Sequence, residues 1–384
     1  MTRLRTLALA GLLASTAGLA ACTNEPAPTE PVSTSAPRPG DISTPPPSTS
    51  IGPTPTTPTG SGTPTTSQPT STTPSVVTQN LQAPWSIVFH GQTALISERD
   101  SGRILELASD GTTRAIGTIA GVVHEGEGGL LGLAVRDAQL YAYLTTASDN
   151  RIVRLPLTGE PGSLALGSPT AILTGIPKGF THNGGRISFG PDGMLYATTG
   201  DAGDRPNAQD RGSLAGKILR LSPDGAVPAG NPFGTLVWSY GHRNPQGLAW
   251  APDGTMYAAE FGQNTWDELN VIRPGGNYGW PTIEGKAGRE GFIDPVQQWS
   301  PDDASPSGIA IAGDAIWIAN LKGERLRRVP LSETGSSSEQ LTDRGRLRDV
   351  AVAPDGALWV LTNNTDGRGT PRDGDDHVVS VPVA

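Results

Sequence analysis

The chain has one cysteine, Cys22, in 384 residues. A single thiol excludes an intramolecular disulfide and any zinc centre built on cysteine pairs, and no His-Glu-x-x-His run supplies another zinc site. Lysine is scarce too. Lys178, Lys217, Lys286 and Lys322 are all the chain contains, and the net charge is -9. An acidic chain lacks the basic surface that a phosphate backbone demands, so nucleic acid is not an expected partner. No segment shows a convincing 3.6-residue apolar period, which argues against helices. The one long apolar run, Leu7 to Ala21, is too short for a confident membrane span.

That run follows Arg3 and Arg5, and residues 1–21 together read as an export signal. Leu19-Ala20-Ala21-Cys22 places small residues before the cysteine and resembles a bacterial lipoprotein box. The resemblance implies cleavage before Cys22 and diacylation of its thiol, a firm tether by the two-chain argument. The expected location is extracytoplasmic, on the cell membrane. A cleaved signal with a chance cysteine is the other reading. Residues 22–79 are mostly Pro, Thr, Ser, Ala and Gly. Such a segment cannot bury enough surface to offset its ordering entropy, so it reads as a disordered linker or, failing that, a Pro-rich ligand for a partner.

The remainder, 80–384, repeats. Each unit has an apolar strand, a Pro-Asp-Gly-like turn, a second apolar strand, a polar loop and a third strand. The turns stand at Pro191-Asp192-Gly193, Pro252-Asp253-Gly254 and Pro354-Asp355-Gly356, with Gly313-Asp314 as a variant. Six such units of period-2 strands predict an all-β fold, a six-bladed β-propeller. Leu81–Ile87 is the expected outer strand closing the ring against the last blade.

Several polar clusters interrupt the strands. Gly126-Glu127-Gly128-Gly129 sets a carboxylate in a flexible turn. Thr181-His182-Asn183 precedes the third unit. His182 can accept a proton from an alcohol near neutral pH, and Asp201 can hold its tautomer. His242-Arg243-Asn244 occupies the equivalent place one unit later, where a fixed guanidinium suits a developing oxyanion. Glu260 to Glu268 reads either as a solvated acidic turn or as a hard-cation loop for Ca²⁺, with carbonyls at Gly262 and Gln263 and carboxylates at Asp267 and Glu268. Lys322, Arg346 and Arg348 sit beside core strands, which suits an anionic ligand.

Together, GEGGLLGLA, HNGGRISFGPDG, TTGDAGD, GHRNPQGLAW, DELNVIRPGGNYGWP and RLRDVAVAPDG resemble, in order, the soluble quinoprotein glucose, aldose and sorbosone dehydrogenases, which use pyrroloquinoline quinone (PQQ). The resemblance spans Leu81 to the C-terminus. It implies that His182 is the base at the sugar's anomeric hydroxyl, with Asp201 behind it. It implies that Arg243 and Asn244 face the quinone and that Lys322, Arg346 and Arg348 pair with its carboxylates. Gly262 and Gln263 would give backbone oxygens to Ca²⁺, and Asp267, Glu268 and Tyr278 join them as candidate metal residues. Glu127, a candidate cofactor contact, departs from the family's glutamine and adds a carboxylate near a carboxylate-rich ligand. The short Ser307–Asp314 stretch departs too, because relatives carry aromatic residues there; Trp266 and Trp299 are candidates to compensate. The implied reaction oxidises an aldose sugar to its lactone and passes electrons to an unidentified acceptor. Two rival readings remain open: a non-catalytic envelope-binding propeller, and a Ca²⁺-dependent lactonase.

Overall fold

The computed structural model describes residues 73–383. The export signal, Cys22 and most of the linker lie outside the described residues. The described chain is a six-bladed β-propeller, and its one helical element is a short 3₁₀ turn, Arg205–Ala208. Blade 1 comprises Pro84–His90, Thr93–Glu98, Arg103–Leu107 and Thr113–Thr118. Blade 2 comprises Leu130–Arg136, Gln139–Thr145, Asn150–Thr158 and Thr170–Ile176, with Ala165–Leu166 beside its third strand. Blade 3 comprises Ile187–Phe189, Leu195–Thr199, Lys217–Leu221 and Val237–Tyr240. Blade 4 comprises Pro245–Trp250, Met256–Glu260, Asp267–Ile272 and Gln297–Trp299. Blade 5 comprises Pro306–Ala312, Ala315–Asn320, Arg325–Pro330 and Ser338–Gln340. Blade 6 takes Leu347–Val352, Leu358–Thr362 and Val378–Val381 from the end of the chain. Its outer strand, Ser75–Thr78, comes from the front and pairs antiparallel with Val378–Val381.

That outer strand corrects the expectation for Leu81–Ile87. Pro84–His90 is the innermost strand of blade 1, and its first four residues are buried. A strand that packs between two neighbouring blades needs that burial. Ser75–Thr78 is largely exposed, as an edge strand is, and its valines and threonine favour extended backbone. The ring therefore begins inside the segment that composition alone assigned to the linker.

Each cleft between adjacent blades holds its own apolar cluster, from Leu95 and Leu133 between blades 1 and 2 to Ile96 and Leu361 between blades 6 and 1. Because these sheets are covered on both faces, strands such as Thr93–Glu98 and Ala315–Asn320 are buried at every residue and not only at every second one. Each fully buried leucine or isoleucine contributes roughly 2 kcal/mol by transfer alone. The Pro-Asp-Gly turns have a local cause. The Asp253 carboxylate accepts the Thr255 amide at 2.9 Å, and Asp355 accepts that of Ala357 at 3.0 Å. Gly254 and Gly356 then sit at φ +87° and +86°, where a side chain would be strained although nothing crowds it.

The pairing also decides where a site can form. Within each blade the first two strands are antiparallel, so Pro84 lies opposite Glu98, Pro245 opposite Glu260 and Leu347 opposite Thr362. The loop entering an innermost strand and the loop leaving its neighbour thus emerge on one rim. Six blades bring twelve such loop ends around one axis.

Candidate active site: a cation-rich cavity on one rim

A cavity of about 300 Å³ opens on that rim. Blade 1 gives it Arg99, the entry to blade 2 gives Glu127, and the entry to blade 3 gives His182. Blade 4 contributes Arg243, Asn244, Phe261, Gly262, Gln263 and Asp267; blade 5 contributes Lys322; blade 6 contributes Arg346, Arg348 and Arg368. Trp85 and Gln246 also line it. Six lysine or arginine side chains thus face two carboxylates, Glu127 and Asp267. Such a lining selects an anion, and one large enough to reach several cations at once. The structure brings the sequence-derived residues His182, Arg243, Asn244, Lys322, Arg346, Arg348 and Glu127 to a single cavity.

His182 adopts φ +60°, so the backbone at this position is strained and held by its surroundings. Its amide donates to Glu127 Oε2 at 2.8 Å, and Gly200 leaves room for its carbonyl, since a Cβ there would stand 2.0 Å from that oxygen. Its Nδ1 donates to Asp201 Oδ1 at 2.7 Å. That bond leaves Nε2 with its lone pair, on a side chain that lines the cavity. Asp201 is fully buried and accepts two further bonds, from the Gly203 amide and the Trp280 indole, each at 2.8 Å. Burial pushes its carboxyl up, but these bonds and His182 outweigh that and hold it below the usual range.

Arg243 donates to the Gln263 side-chain oxygen at 2.9 and 3.1 Å and to the Phe261 carbonyl at 3.3 Å. Its backbone amide bonds to Glu260, and its guanidinium lies over the Trp280 ring. Asn244 Oδ1 accepts the Gly184 amide at 2.9 Å and so ties the entry loops of blades 3 and 4 together. The neighbouring His242 does not point at the axis. It is fully buried, bonded to Glu260 and Ser239 at 2.7 and 2.8 Å, and stacked on Tyr278.

Glu127 carries a partner that the sequence does not reveal. Its Oε1 accepts a bond from Arg368 at 2.8 Å, across 241 residues. Burial raises its pKa, yet Arg368 and the His182 amide hold it below the usual range. The extra carboxylate is therefore ionised and paired. Arg346 reaches Asp366 at 3.2 Å, and its buried Nε has no partner. Arg348 donates to Asn363 Oδ1 at 3.1 and 3.3 Å and to Gln246 at 2.9 Å. Burial lowers its pKa, Asp366 opposes that, and Arg346 and Arg99 reinforce it. Lys322 pairs with exposed Asp302 and remains the most solvated of these sequence-derived cations. Arg99, Arg368 and Trp85 were missed because each lies outside the recognisable motifs, and Gln246, inside GHRNPQGLAW, because it reads as part of an innermost strand.

The acidic loop of blade 4 was expected to offer Ca²⁺ the Gly262 and Gln263 carbonyls together with the Asp267 and Glu268 carboxylates, but the carboxylates are engaged elsewhere. Asp267 Oδ1 accepts the Gly262 amide at 2.7 Å and its Oδ2 the Ser305 amide at 2.6 Å. Glu284 Oε1 gathers the amides of Gln263, Asn264, Thr265 and Trp266 at 2.6 to 3.2 Å. The carboxylates thus hold amides, and the loop's carbonyls are what remains for a cation. Gly262 is required here, since a Cβ would stand 1.8 Å from the Trp266 carbonyl oxygen. Glu268 and Tyr278, expected beside the metal, lie outside the cavity. Glu268 accepts the Gly285 amide at 2.7 Å and Asn270 at 3.0 Å, while the Tyr278 hydroxyl donates to the Val271 carbonyl at 2.7 Å. Neighbouring residues on a strand face opposite ways, so Asp267 and Glu268 cannot both reach the axis. Among the described residues no three His, Cys, Asp or Glu side chains converge as a metal cluster. Trp266 and Trp299 do not line the cavity; Trp299 carries Arg327 on its ring.

The profile of the glucose / sorbosone dehydrogenase family matches residues 81–370. A solved structure, the PQQ-bound form of aldose sugar dehydrogenase from Streptomyces coelicolor, is 50% identical, with TM-score 0.77 over 81% of this chain and 98% of that one. The aldose sugar dehydrogenase of Escherichia coli strain K12 is 30% identical over 78% of this chain and 92% of its own length. The quinoprotein glucose dehydrogenase B of Acinetobacter calcoaceticus is 31% identical over 62% of this chain and 59% of that relative.

Proposed function

The chain belongs to the glucose / sorbosone dehydrogenase family, and from that membership we propose that it is a PQQ-dependent enzyme that oxidises an aldose to its lactone. The observation that carries this reading is the cation-lined cavity with His182 and its Asp201 partner at one wall. A planar tricarboxylate fits the residues present. The cations outnumber the carboxylates, Arg346 has a buried nitrogen without a partner, and Glu127 is neutralised by Arg368. The Gly262 and Gln263 amides are held by Asp267 and Glu284, and the carbonyls of the same loop would be the backbone oxygens that hold Ca²⁺. When bound, PQQ supplies the two-electron acceptor for the hydride leaving C1, and Ca²⁺ supplies a Lewis acid beside it.

The protein's own part is positioning and proton transfer. His182 Nε2 takes the proton of the anomeric hydroxyl, and Asp201 stabilises the imidazolium that forms. Arg243 and Asn244 hold the quinone end, where the guanidinium stabilises negative charge. Arg99, Lys322, Arg346 and Arg348 hold the carboxylates. Electrons then pass to an acceptor yet to be identified. The site of action is outside the cytoplasmic membrane, through a lipid on Cys22. Glu127 does not argue for a non-catalytic propeller, because Arg368 matches its charge. A lactonase reading would need free converging carboxylates, and those here are engaged with amides or arginine. Reconstituted with PQQ and Ca²⁺, the protein should reduce a dye when given an aldose. His182→Ala should abolish most of that activity and keep PQQ bound; undiminished turnover refutes the base assignment.

A further inference from the structure

The GGNYGWP turn is prominent in the sequence, yet the reaction as described uses none of it. Its Trp280 is buried at 6% exposure and touches two separate parts of the site. The indole Nε1 donates to Asp201 Oδ2 at 2.8 Å, on the oxygen that His182 does not use. The same ring carries the Arg243 guanidinium 5.5 Å from its centroid, with Arg205 at 5.3 Å as a second cation. Its backbone is pinned independently. The amide donates to the Gly241 carbonyl at 2.9 Å, and the carbonyl accepts the Gln209 side chain at 2.6 Å. One rigid ring is thus anchored to the turn after blade 3's second strand, to the entry of blade 4, and to both polar partners of the reacting groups.

We propose that Trp280 is a positioning residue that sets the basicity of His182 through Asp201 and fixes Arg243 relative to that base. This rests on the base role of His182 argued above. The indole bond consumes part of the Asp201 charge, so less is left to favour protonated His182. Removing the N–H makes Asp201 a stronger partner for the imidazolium and raises the pH at which His182 becomes a free base. The charged groups facing this unit are Glu127 with Arg368, Arg243 with Glu260, Glu268 and Glu284 beside the indole, and Arg205. None of them donates to Asp201 Oδ2, so none replaces the indole.

Trp280→Phe keeps a ring under Arg243 and removes the donor, together with the volume of the indole's second ring. The first readout is the histidine-ring NMR titration of the full chain without cofactor or sugar, with His182 assigned by its loss in His182→Gln. The His182 midpoint should rise by about half to one pH unit in Trp280→Phe. After reconstitution, the acid limb of kcat/KM should move up with it while KM for the sugar changes by less than about twofold. An unchanged midpoint in a folded variant overturns the proposal, because a purely structural tryptophan would lower the unfolding temperature and leave the titration alone. In the unsubstituted protein the Trp280 indole N–H signal should shift as His182 titrates. An indole signal indifferent to that titration overturns the proposal even if the variant does not fold. A shifted midpoint in a protein that never oxidises sugar supports the positioning claim and removes the dehydrogenase reading instead.

Discussion

Asp201→Asn tests the proton-transfer geometry most sharply. Three donors converge on the fully buried Asp201 carboxylate: His182 Nδ1, the Gly203 amide and Trp280 Nε1. An asparagine amide offers one oxygen. If that oxygen faces His182 and Gly203, the new NH₂ meets the indole N–H, and a buried donor is left unpaired. If it faces Trp280, the NH₂ meets His182, Nδ1 must become the acceptor, and the proton moves to Nε2, where the base is needed. Either arrangement should cost about 1–3 kcal/mol of folding stability. The first removes the charge that stabilises the imidazolium, and the second removes the base itself. Turnover should fall by roughly 10²–10⁴, the usual worth of a positioned general base. KM should change by less than about threefold, because Asp201 does not line the cavity. The assay is dye reduction by protein reconstituted with PQQ and Ca²⁺ across a series of aldose concentrations, with thermal unfolding run alongside. A variant that folds and keeps kcat within about threefold of the parent would refute the reasoning.

Other expectations follow from the same contacts. Glu127→Gln should free Arg368 and tighten PQQ several-fold at low salt, with the gain shrinking as salt rises; weaker binding would mean that Glu127 organises the site. Because Arg368 is half exposed, that substitution should alter folding stability by less than about 1 kcal/mol. Glu268 is pushed up to about 8 by its burial and by Glu260. Its folded pKa lies above the unfolded value, so the folded state keeps a proton that the unfolded chain releases. Stability from this group is full below the unfolded pKa and falls as pH rises toward about 8. Glu268→Gln should therefore lose less unfolding temperature between about pH 5 and about pH 8 than the parent; an identical slope in calorimetry contradicts the assignment.

The ring was legible because its grammar is local. Aspartate capping the amide two residues on, followed by a positive-φ glycine, marks the hairpin turns, and the apolar strands between them repeat. The closing strand was misplaced because Leu81–Ile87 and Ser75–Thr78 both read as strands, and only packing separates a buried inner strand from an edge. Much of the cavity was legible for a related reason. Glu127, His182, Arg243, Asn244 and Arg346 precede innermost strands, a position that recurs in every blade. Arg368 was invisible because its value comes from Glu127, and Trp280 because a ring's reach across two loops leaves no spacing signal. In the acidic loop, composition alone did not show what the carboxylates hold. Its acids cap amides, and strand alternation turns Glu268 away from the side that Asp267 faces.

The central claim is that five cations from four blades, Arg99, Arg243, Lys322, Arg346 and Arg348, meet one planar tricarboxylate. Calorimetric titration of the cofactor-free protein with PQQ in the presence of Ca²⁺ tests it directly. Saturable binding at one site per chain is expected, with at least about a tenfold loss of affinity in Arg346→Ala and in Arg348→Ala and a PQQ absorbance change when an aldose is added. No saturable heat, or affinity in both arginine variants equal to the parent's, would contradict it.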